Sequence, residues 1–250
     1  MATPRVFIIR HGETEWSLNG RHTGTTELPL TSNGEKRIRA TGQALVGDDR
    51  LIVPSQLAHV YVSPRKRAQK TLELLNLGCR DGLPWQEQQA LEGRSTRTDA
   101  KVQIEENIRE WDYGDYEGLT SSTIREQRRK NGEGPWDIWR DGCPGGESPG
   151  DVTRRLDRLI DDIRSRFHGR SGHLEAESTP SDVLLVAHGH ILRAFAMRWI
   201  KRELTEGVSL LLEAGGVGTL SYEHHNLDEP AILLGGAFMV DVVESAGRLK

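Results

Sequence analysis

The sequence lacks several features that would assign it to a specialised class of protein. Two cysteines, Cys79 and Cys143, are too few for a disulfide framework, which fits a reducing compartment. No apolar run reaches the length of about 20 residues that a membrane span requires. The amino-terminal residues have neither the charged region nor the apolar region of a secretory signal. We therefore expect a cytoplasmic protein with no membrane partner.

The charge of the chain is nearly balanced, and its apolar residues are widely spread. Hydrophobic residues make up 36% of the sequence and occur along its whole length, which excludes a wholly disordered chain. There are 33 lysine and arginine residues against 37 aspartate and glutamate residues, a formal net charge of −4. General affinity for nucleic acid depends on positive charge, so we expect no nucleic-acid partner. An anionic ligand must be bound by a local cluster of basic residues.

Short apolar runs alternate with amphipathic stretches along the chain. The patterns predict strands over residues 5–9, 59–62, 182–187, 217–222 and 231–234, and a further strand within residues 102–108. They predict helices over residues 30–45, 64–75, 150–167 and 191–200, and irregular segments over 79–101 and 168–181. This alternation predicts an α/β fold in three α/β/α layers, with a mainly parallel central sheet covered by helices on both faces. We expect residues 1–250 to form a single domain.

Four short polar segments each follow a predicted strand. They are residues 10–14, 63–68, 109–118 and 187–190. Ligands of parallel sheets bind beyond the carboxyl ends of the strands, so we expect these segments to meet at one edge. Together they bring two histidines, at least two arginines and a carboxylic acid.

This set of side chains suits phosphoryl transfer. Guanidinium groups offer paired donors to phosphate oxygens, and a neutral imidazole can attack phosphorus to form a phosphohistidine. A carboxylic acid can protonate the leaving oxygen. Because arginines and a second histidine supply positive charge, the reaction needs no metal and no cofactor.

Ordered motifs along nearly all of the chain resemble the histidine phosphatase superfamily, also called the phosphoglycerate mutase-like family. The motifs are residues 10–12, 19–24, 28–31, 63–65, 68–71 and 145–148, with the distant His188. The resemblance implies a phosphoglycerate mutase-like fold, with His11 as the phosphorylated nucleophile and Glu110 as the general acid. It also implies that Arg10, Arg65 and His188 complete the phosphate pocket.

The two basic residues that follow Arg65 are not expected to take part in the site. Lys66 and Arg67 continue a run of basic residues at a predicted helix start. We interpret these two side chains as solvated.

The segment that follows Glu110 separates the branches of this family. Residues 110–118 resemble the phosphatases more than the mutases, and residues 135–143 and 213–230 are similar to fungal sedoheptulose-1,7-bisphosphatases. The resemblance implies hydrolysis of sugar phosphates, above all of sedoheptulose 1,7-bisphosphate to sedoheptulose 7-phosphate. A phosphoglycerate mutase, a broad-specificity small-molecule phosphatase and a non-enzymatic phospholigand-binding module remain as alternatives.

Six further residues are expected to bind the substrate. They are Thr23, Gly24, Tyr113, Arg140, Arg193 and His224. By resemblance, Thr23 and Gly24 lie where the substrate loop of the family approaches the leaving group. Arg193, His224 and Arg140 are candidates by position for anchoring a second phosphate, and Tyr113 for a hydrogen bond to a sugar hydroxyl or a phosphate oxygen.

A metal site is the main alternative use of the remaining histidines. His224 and His225 form a pair, to which His188 and His190 could be added. Zinc sites need three or four ligands at settled spacing, so we expect no metal here. The expected partner is a small phosphorylated molecule, and the sequence leaves a homo-oligomer open.

Overall fold

Strands and helices alternate along the chain. A computed structural model describes residues 3–87, 95–169 and 179–238. The strands within these ranges are β1 (Val6–Arg10), β2 (Leu57–Val62), β3 (Lys101–Ile104), β4 (Asp182–Ala187), β5 (Val217–Tyr222) and β6 (Pro230–Phe238). The helices are α1 (Glu15–Asn19), α2 (Ser32–Leu45), α3 (Lys66–Leu75), α4 (Ser121–Lys130), α5 (Ile138–Asp141), α6 (Pro149–Ile163) and α7 (Gly189–Trp199). None of the described helices is both long enough and apolar enough to cross a membrane.

The strands form one sheet in the order β3-β2-β4-β1-β5-β6. Strands β1 to β4 are parallel, and the register pairs Arg10 at the end of β1 with Ala187 at the end of β4. Strands β5 and β6 extend the sheet in antiparallel fashion. The prediction of a mainly parallel α/β sheet is confirmed, and the parallel part brings four carboxyl ends to the same edge.

Two apolar cores cover the two faces of the sheet. Alternate side chains of β1 point to opposite faces, so Ile8 joins one core and Phe7 the other. Leu156 of α6 and Phe195 of α7 lie in the first core. Residues of α2 and α3, among them Leu72, lie in the second. This is the predicted three-layer arrangement.

The structure changes the bounds of several predicted elements. Strand β3 begins one residue before the predicted range 102–108 and ends at Ile104, because the Glu105 carboxylate accepts the backbone N–H of Asn107 and begins a 3₁₀ turn. Helix α7 begins two residues before its predicted start. Residues 88–94 of the predicted irregular segment 79–101, and residues 170–178 of the segment 168–181, lie outside the described residues.

Candidate active site

The carboxyl ends of two neighbouring strands bring the two motif histidines together. His11 follows β1 and His188 follows β4. The backbone N–H of His11 donates to the carbonyl of Ala187 at 2.8 Å, so the parallel pairing continues past the strand ends. The two imidazole ring centres are 5.1 Å apart.

One ring nitrogen of His11 has no hydrogen-bond partner among the described residues. His11 is 6% exposed, and its Nδ1 contacts the carbonyl oxygen of Gly12 at 2.7 Å. A carbonyl can only accept, so Nδ1 carries the hydrogen and Nε2 keeps its lone pair. Burial, followed by the positive charges of Arg67 and Arg10, lowers the pKa of His11 well below 6.5. The imidazole is therefore neutral near pH 7 and suited to nucleophilic attack.

His188 is fixed at both ring nitrogens. Arg67 Nε donates to His188 Nδ1 at 3.2 Å, so Nε2 carries the hydrogen and donates to Ser63 Oγ at 2.6 Å. Burial is the main cause that lowers the pKa of His188 well below 6.5, with Arg67 next. Sequence reasoning gave Ser63 no role, although it begins one of the family motifs.

The interpretation of Arg67 as a solvated residue is wrong. Its side chain is 1% exposed, whereas the neighbouring Lys66 is exposed as expected. Besides its bond to His188, Arg67 donates to the carbonyl oxygens of Thr26 and Thr23, each at 2.9 Å. Helix phase is the signal that could have found it, because Arg67 lies one turn before the buried Thr71 of α3.

Arg10 and Arg65 differ in their surroundings. Arg10 Nη1 donates to the carbonyl of Leu212 at 2.9 Å, and its Nε is buried without a hydrogen-bond partner among the described residues. A Cβ on Gly189 would come within 3.2 Å of this guanidinium, so glycine leaves Arg10 its place. The Arg65 side chain is 22% exposed, and its Nη1 lies 3.9 Å from Glu27. Arg65 therefore lies nearer to solvent than Arg67 does.

Glu110 lies against the start of α7. Its Oε1 accepts the backbone N–H of Ile191 at 2.9 Å, and its Oε2 accepts that of His190 at 3.1 Å. Oε1 also accepts the N–H of Trp111. Glu110 is 6% exposed. Its carboxyl group lies at the N-terminus of α7, the helix that begins directly after His188. The segment after β3 and the helix after β4 thus meet at Glu110.

Four of the six expected substrate-binding residues lie around this cluster. Loop 23–26, which contains Thr23 and Gly24, is bonded to Arg67. The Tyr113 hydroxyl is 2.7 Å from His190 Nδ1. Arg193 lies 5.3 Å above the Trp139 ring and donates to the carbonyl of Gly189.

His224 is not brought to this edge of the sheet. Strand β5 is antiparallel to β1, so the residues after its carboxyl end lie at the opposite edge. His224 is exposed and contacts Glu229 at 2.7 Å. The prediction that His224 anchors a phosphate at this site is therefore wrong. The same separation excludes a metal site that His224 would share with His188 and His190.

Arg140 is also outside the cluster. Its side chain is exposed, and its Nε pairs with the Asp141 carboxylate at 2.9 Å. It also donates to the carbonyl of Pro135. These contacts hold Arg140 on the surface of α5, although the neighbouring Trp139 packs near Arg193.

Two further histidines lie beside Tyr113 and were given no substrate role from the sequence. The ring centre of His22 is 4.8 Å from that of Tyr113 and 5.7 Å from that of His190. Burial lowers the pKa of His22 to about 4 and that of His190 well below 6.5. Both rings are therefore neutral near pH 7.

The match to a family model agrees with this arrangement. The model of the histidine phosphatase superfamily (branch 1) matches residues 6–96 and 88–230. This chain belongs to the histidine phosphatase superfamily. It is an enzyme of the histidine phosphatase type, as the motifs predicted.

Several curated members of the superfamily are similar over most of their length. Sedoheptulose 1,7-bisphosphatase of Saccharomyces cerevisiae is 36% identical, covering 95% of this chain and 94% of the yeast protein. An acid phosphatase of Mycobacterium tuberculosis is 36% identical over 88% and 87%. The 2,3-bisphosphoglycerate-dependent phosphoglycerate mutase of Azorhizobium caulinodans is 30% identical over 86% and 95%.

Solved structures share the fold. The product of a Mycobacterium tuberculosis open reading frame is 28% identical with a TM-score of 0.65, covering 93% of this chain and 97% of that chain. A mycobacterial glucosyl-3-phosphoglycerate phosphatase has a TM-score of 0.63 at 20% identity, over 92% and 97%. The predicted phosphoglycerate mutase-like fold is confirmed.

Proposed function

We propose that this protein hydrolyses sugar bisphosphates through a phosphohistidine on His11, with sedoheptulose 1,7-bisphosphate as substrate and sedoheptulose 7-phosphate as product. The similarity to the yeast sedoheptulose 1,7-bisphosphatase along nearly the whole chain supports this choice of substrate. The equally identical mycobacterial acid phosphatase makes a broader range of phosphomonoesters the competing choice.

The observation that carries the proposal is a group of arginines without counter-ions beside a neutral nucleophile. Arg10, Arg67 and Arg193 donate to carbonyl oxygens and, for Arg67, to an imidazole. Among the described residues, no carboxylate oxygen lies within 4.0 Å of these three guanidinium groups. Withdrawing a cation from water without a counter-ion is costly, so a phosphate dianion is the natural occupant. Of these three, Arg10 and Arg67 are the charges that lower the pKa of His11, and Arg193 lies against Trp139.

The first step transfers the phosphoryl group to the protein. His11 Nε2 attacks phosphorus while the bond to the sugar oxygen breaks. Arg10, Arg65 and Arg67 stabilise the charge on the phosphoryl oxygens. Glu110 supplies the proton to the departing sugar oxygen. Its Oε2 accepts a single backbone N–H, which leaves a lone pair that can carry this proton.

The second step returns the enzyme to its starting state. A water molecule attacks the phosphohistidine, and Glu110, now a carboxylate, takes one proton from that water. The bond between phosphorus and Nε2 breaks, inorganic phosphate leaves, and His11 is again neutral. Hydrogen bonding of Nδ1 to the Gly12 carbonyl keeps Nε2 directed for the next attack.

Arg193 is our candidate for binding the second phosphate. It is partly buried, its guanidinium stacks over Trp139, and its bonds to protein are to the carbonyls of Gly189 and Leu210, at 3.1 Å and 3.4 Å. Both carbonyl contacts leave donors of the guanidinium available to an anion. With His224 at the opposite edge of the sheet, this task falls to Arg193.

The test is hydrolysis of sedoheptulose 1,7-bisphosphate by the wild type and by His11→Ala. We expect the variant to lose at least about 10³-fold in kcat, because the neighbouring imidazole of His188 is hydrogen-bonded at both ring nitrogens and cannot replace His11. Acid-quenched wild type should carry an acid-labile phosphoryl group that His11→Ala lacks. Near wild-type activity in the variant would overturn the assignment.

Substrate comparison decides between the proposed and the competing activities. A kcat/KM for sedoheptulose and fructose bisphosphates well above that for monophosphates supports the bisphosphatase. Comparable values for many monophosphates would favour the broad phosphatase. The mutase relatives give a third outcome, since isomerisation of phosphoglycerate stimulated by 2,3-bisphosphoglycerate would identify a mutase.

A further inference from the structure

Loop 23–26 surrounds a carboxylate that the proposed reaction does not use. The Glu117 carboxylate accepts the backbone N–H of Gly24 at 2.9 Å, that of Thr25 at 3.2 Å and that of Thr26 at 2.9 Å. Successive backbone N–H groups that converge in this way form a nest, which attracts an anion. The chain itself supplies the anion of this nest.

The opposite side of the same loop is bonded to a cation. Arg67 donates to the carbonyl oxygens of Thr23 and Thr26 at 2.9 Å, and to that of Gly24 at 3.4 Å. The N–H groups of the loop thus point to an anion and its carbonyl groups to a cation. The Glu117 carboxylate and the Arg67 guanidinium favour the same orientation of the peptide dipoles, so the loop is held from two sides.

The loop is also packed tightly against the segment that follows Glu110. An ideal Cβ on Gly24 would overlap the carbonyl oxygen of Trp111, and it would lie 3.1 Å from the Tyr113 ring. Only glycine permits this approach. The loop therefore packs directly against Tyr113 and against the peptide that follows Glu110.

We propose that Glu117 is a positioning residue that fills the backbone nest of loop 23–26 and thereby holds the loop against the leaving group of the substrate. Glu117 acts on the loop directly, while Arg67 holds the same loop from its carbonyl side. This inference rests on the proposed phosphatase function. It assigns Glu117 to the sugar end of the reaction rather than to phosphate binding.

Two substitutions and two substrates test the inference. Glu117→Ala empties the nest, and Glu117→Gln keeps the shape but removes the charge. We expect both to lower kcat/KM for the sugar bisphosphate by about 10- to 100-fold, the size expected from misplacement of the reacting groups. Hydrolysis of an aryl phosphate should fall much less, because its leaving group needs neither a proton nor a held sugar. Added acetate should restore part of the activity of Glu117→Ala by entering the nest.

Glu206→Ala is the matched control. Glu206 also accepts a backbone N–H, that of Glu203 at 2.9 Å, but in a turn that follows α7. We expect this variant to keep wild-type kinetics on both substrates and to show no acetate effect.

Amide hydrogen exchange gives a measurement that does not depend on activity. The amides of Gly24, Thr25 and Thr26 should exchange faster in Glu117→Ala than in the wild type, and acetate should slow them again. Unchanged exchange, or equal losses on the sugar and aryl substrates, would overturn the inference. A wild type that hydrolyses no phosphate ester would instead remove the proposed function, and the exchange result would still decide whether Glu117 holds the loop.

Discussion

At the scale of single residues, Arg67 connects more of the pocket than any side chain selected from the sequence. Its Nε is bonded to His188, and its two terminal nitrogens are bonded to loop 23–26. It is also the charge with the largest effect on the pKa of His11 after burial itself. A planar fork with five donors can make these contacts together, whereas an ammonium group cannot.

We expect Arg67→Lys to be more damaging than Arg65→Lys. The first change should lower kcat by on the order of 10²–10³, the cost of removing one charged donor from such a site. Arg65 is partly exposed and 3.9 Å from its carboxylate neighbour, so its replacement should cost less. Steady-state kinetics on an aryl phosphate, with melting temperatures as the folding control, provides the measurement. A larger loss in Arg65→Lys would show that Arg65, and not Arg67, contributes more to the stabilisation of the phosphoryl group.

The misinterpretation of Arg67 has a physical reason. Residues 65–67 are all basic, so their composition does not distinguish them. The geometry of α3 buries Arg67 alone and places its side chain against loop 23–26. The family motifs alone predicted that His11, His188 and Glu110 lie at the same edge of the sheet. His11 and His188 directly follow strands, and Glu110 faces the end of one.

At the scale of elements, a buried ion pair supports the segment that carries Glu110. Arg155 of α6 is 5% exposed and forms a two-pronged pair with Glu147, at 2.9 Å and 2.8 Å. Its third nitrogen donates to the carbonyls of Asn107 and Arg109, at 2.5 Å and 3.0 Å. Glu147 in turn accepts the backbone N–H of Asp112. Helix α6 thus holds both sides of Glu110.

Replacement of Arg155 by methionine should destabilise the protein by about 3 kcal/mol, because it leaves Glu147 buried with fewer partners. Arg109 still pairs with Glu147 at 2.7 Å, which limits the loss. Urea unfolding of the wild type and of Arg155→Met measures the change in free energy. The double variant Arg155→Met with Glu147→Leu should recover part of the stability, since no buried carboxylate is then left at position 147 and Arg109, which is 33% exposed, can be solvated by water. Failure of Arg155→Met to lower the urea midpoint would disprove this account of the pair.

The direction of one strand decided which elements contribute to the pocket. A strand after residue 217 is evident from its apolar pattern, but the pattern does not state whether it runs parallel or antiparallel to β1. Because β5 is antiparallel, its carboxyl end and His224 lie at the edge opposite to His11. Strand direction depends on the crossover that precedes the strand, and a local pattern contains no record of it.

At the scale of the whole molecule, burial keeps several histidines neutral near pH 7. The pKa values of six are lowered mainly by burial, and these are His11, His22, His59, His168, His188 and His190. For His22, His59 and His168 the pKa is lowered to about 4. Histidines of an unfolded chain have a pKa of about 6.5.

This difference predicts that stability falls as pH decreases through the window from 6.5 to 4. In that window the unfolded chain binds protons that the folded chain does not, so the free energy of unfolding decreases. Each such proton contributes about 1.4 kcal/mol per pH unit. Above pH 6.5 both states are neutral at these sites, and the contribution disappears. Urea unfolding at pH 7.5, 6 and 5 measures the slope.

His59→Gln is the control for this slope. His59 is buried on β2, and its Nε2 lies 3.3 Å from the side chain of Gln103, so a glutamine retains a polar partner there. Removing one titrating group should reduce the loss of stability between pH 6.5 and 4. Equal slopes in the wild type and the variant would exclude His59 as a source of the pH dependence.

The sequence by itself determined the layers of the fold, the superfamily and the groups that meet at the strand ends. These follow from local periodicity and from short motifs, which a single stretch of chain carries. Only the tertiary structure decided that Arg67 turns inward, that Glu117 supplies the anion for loop 23–26 and that His224 lies at the far edge. These contacts join residues 40 to more than 90 positions apart, or depend on strand direction, and no local pattern specifies such pairings.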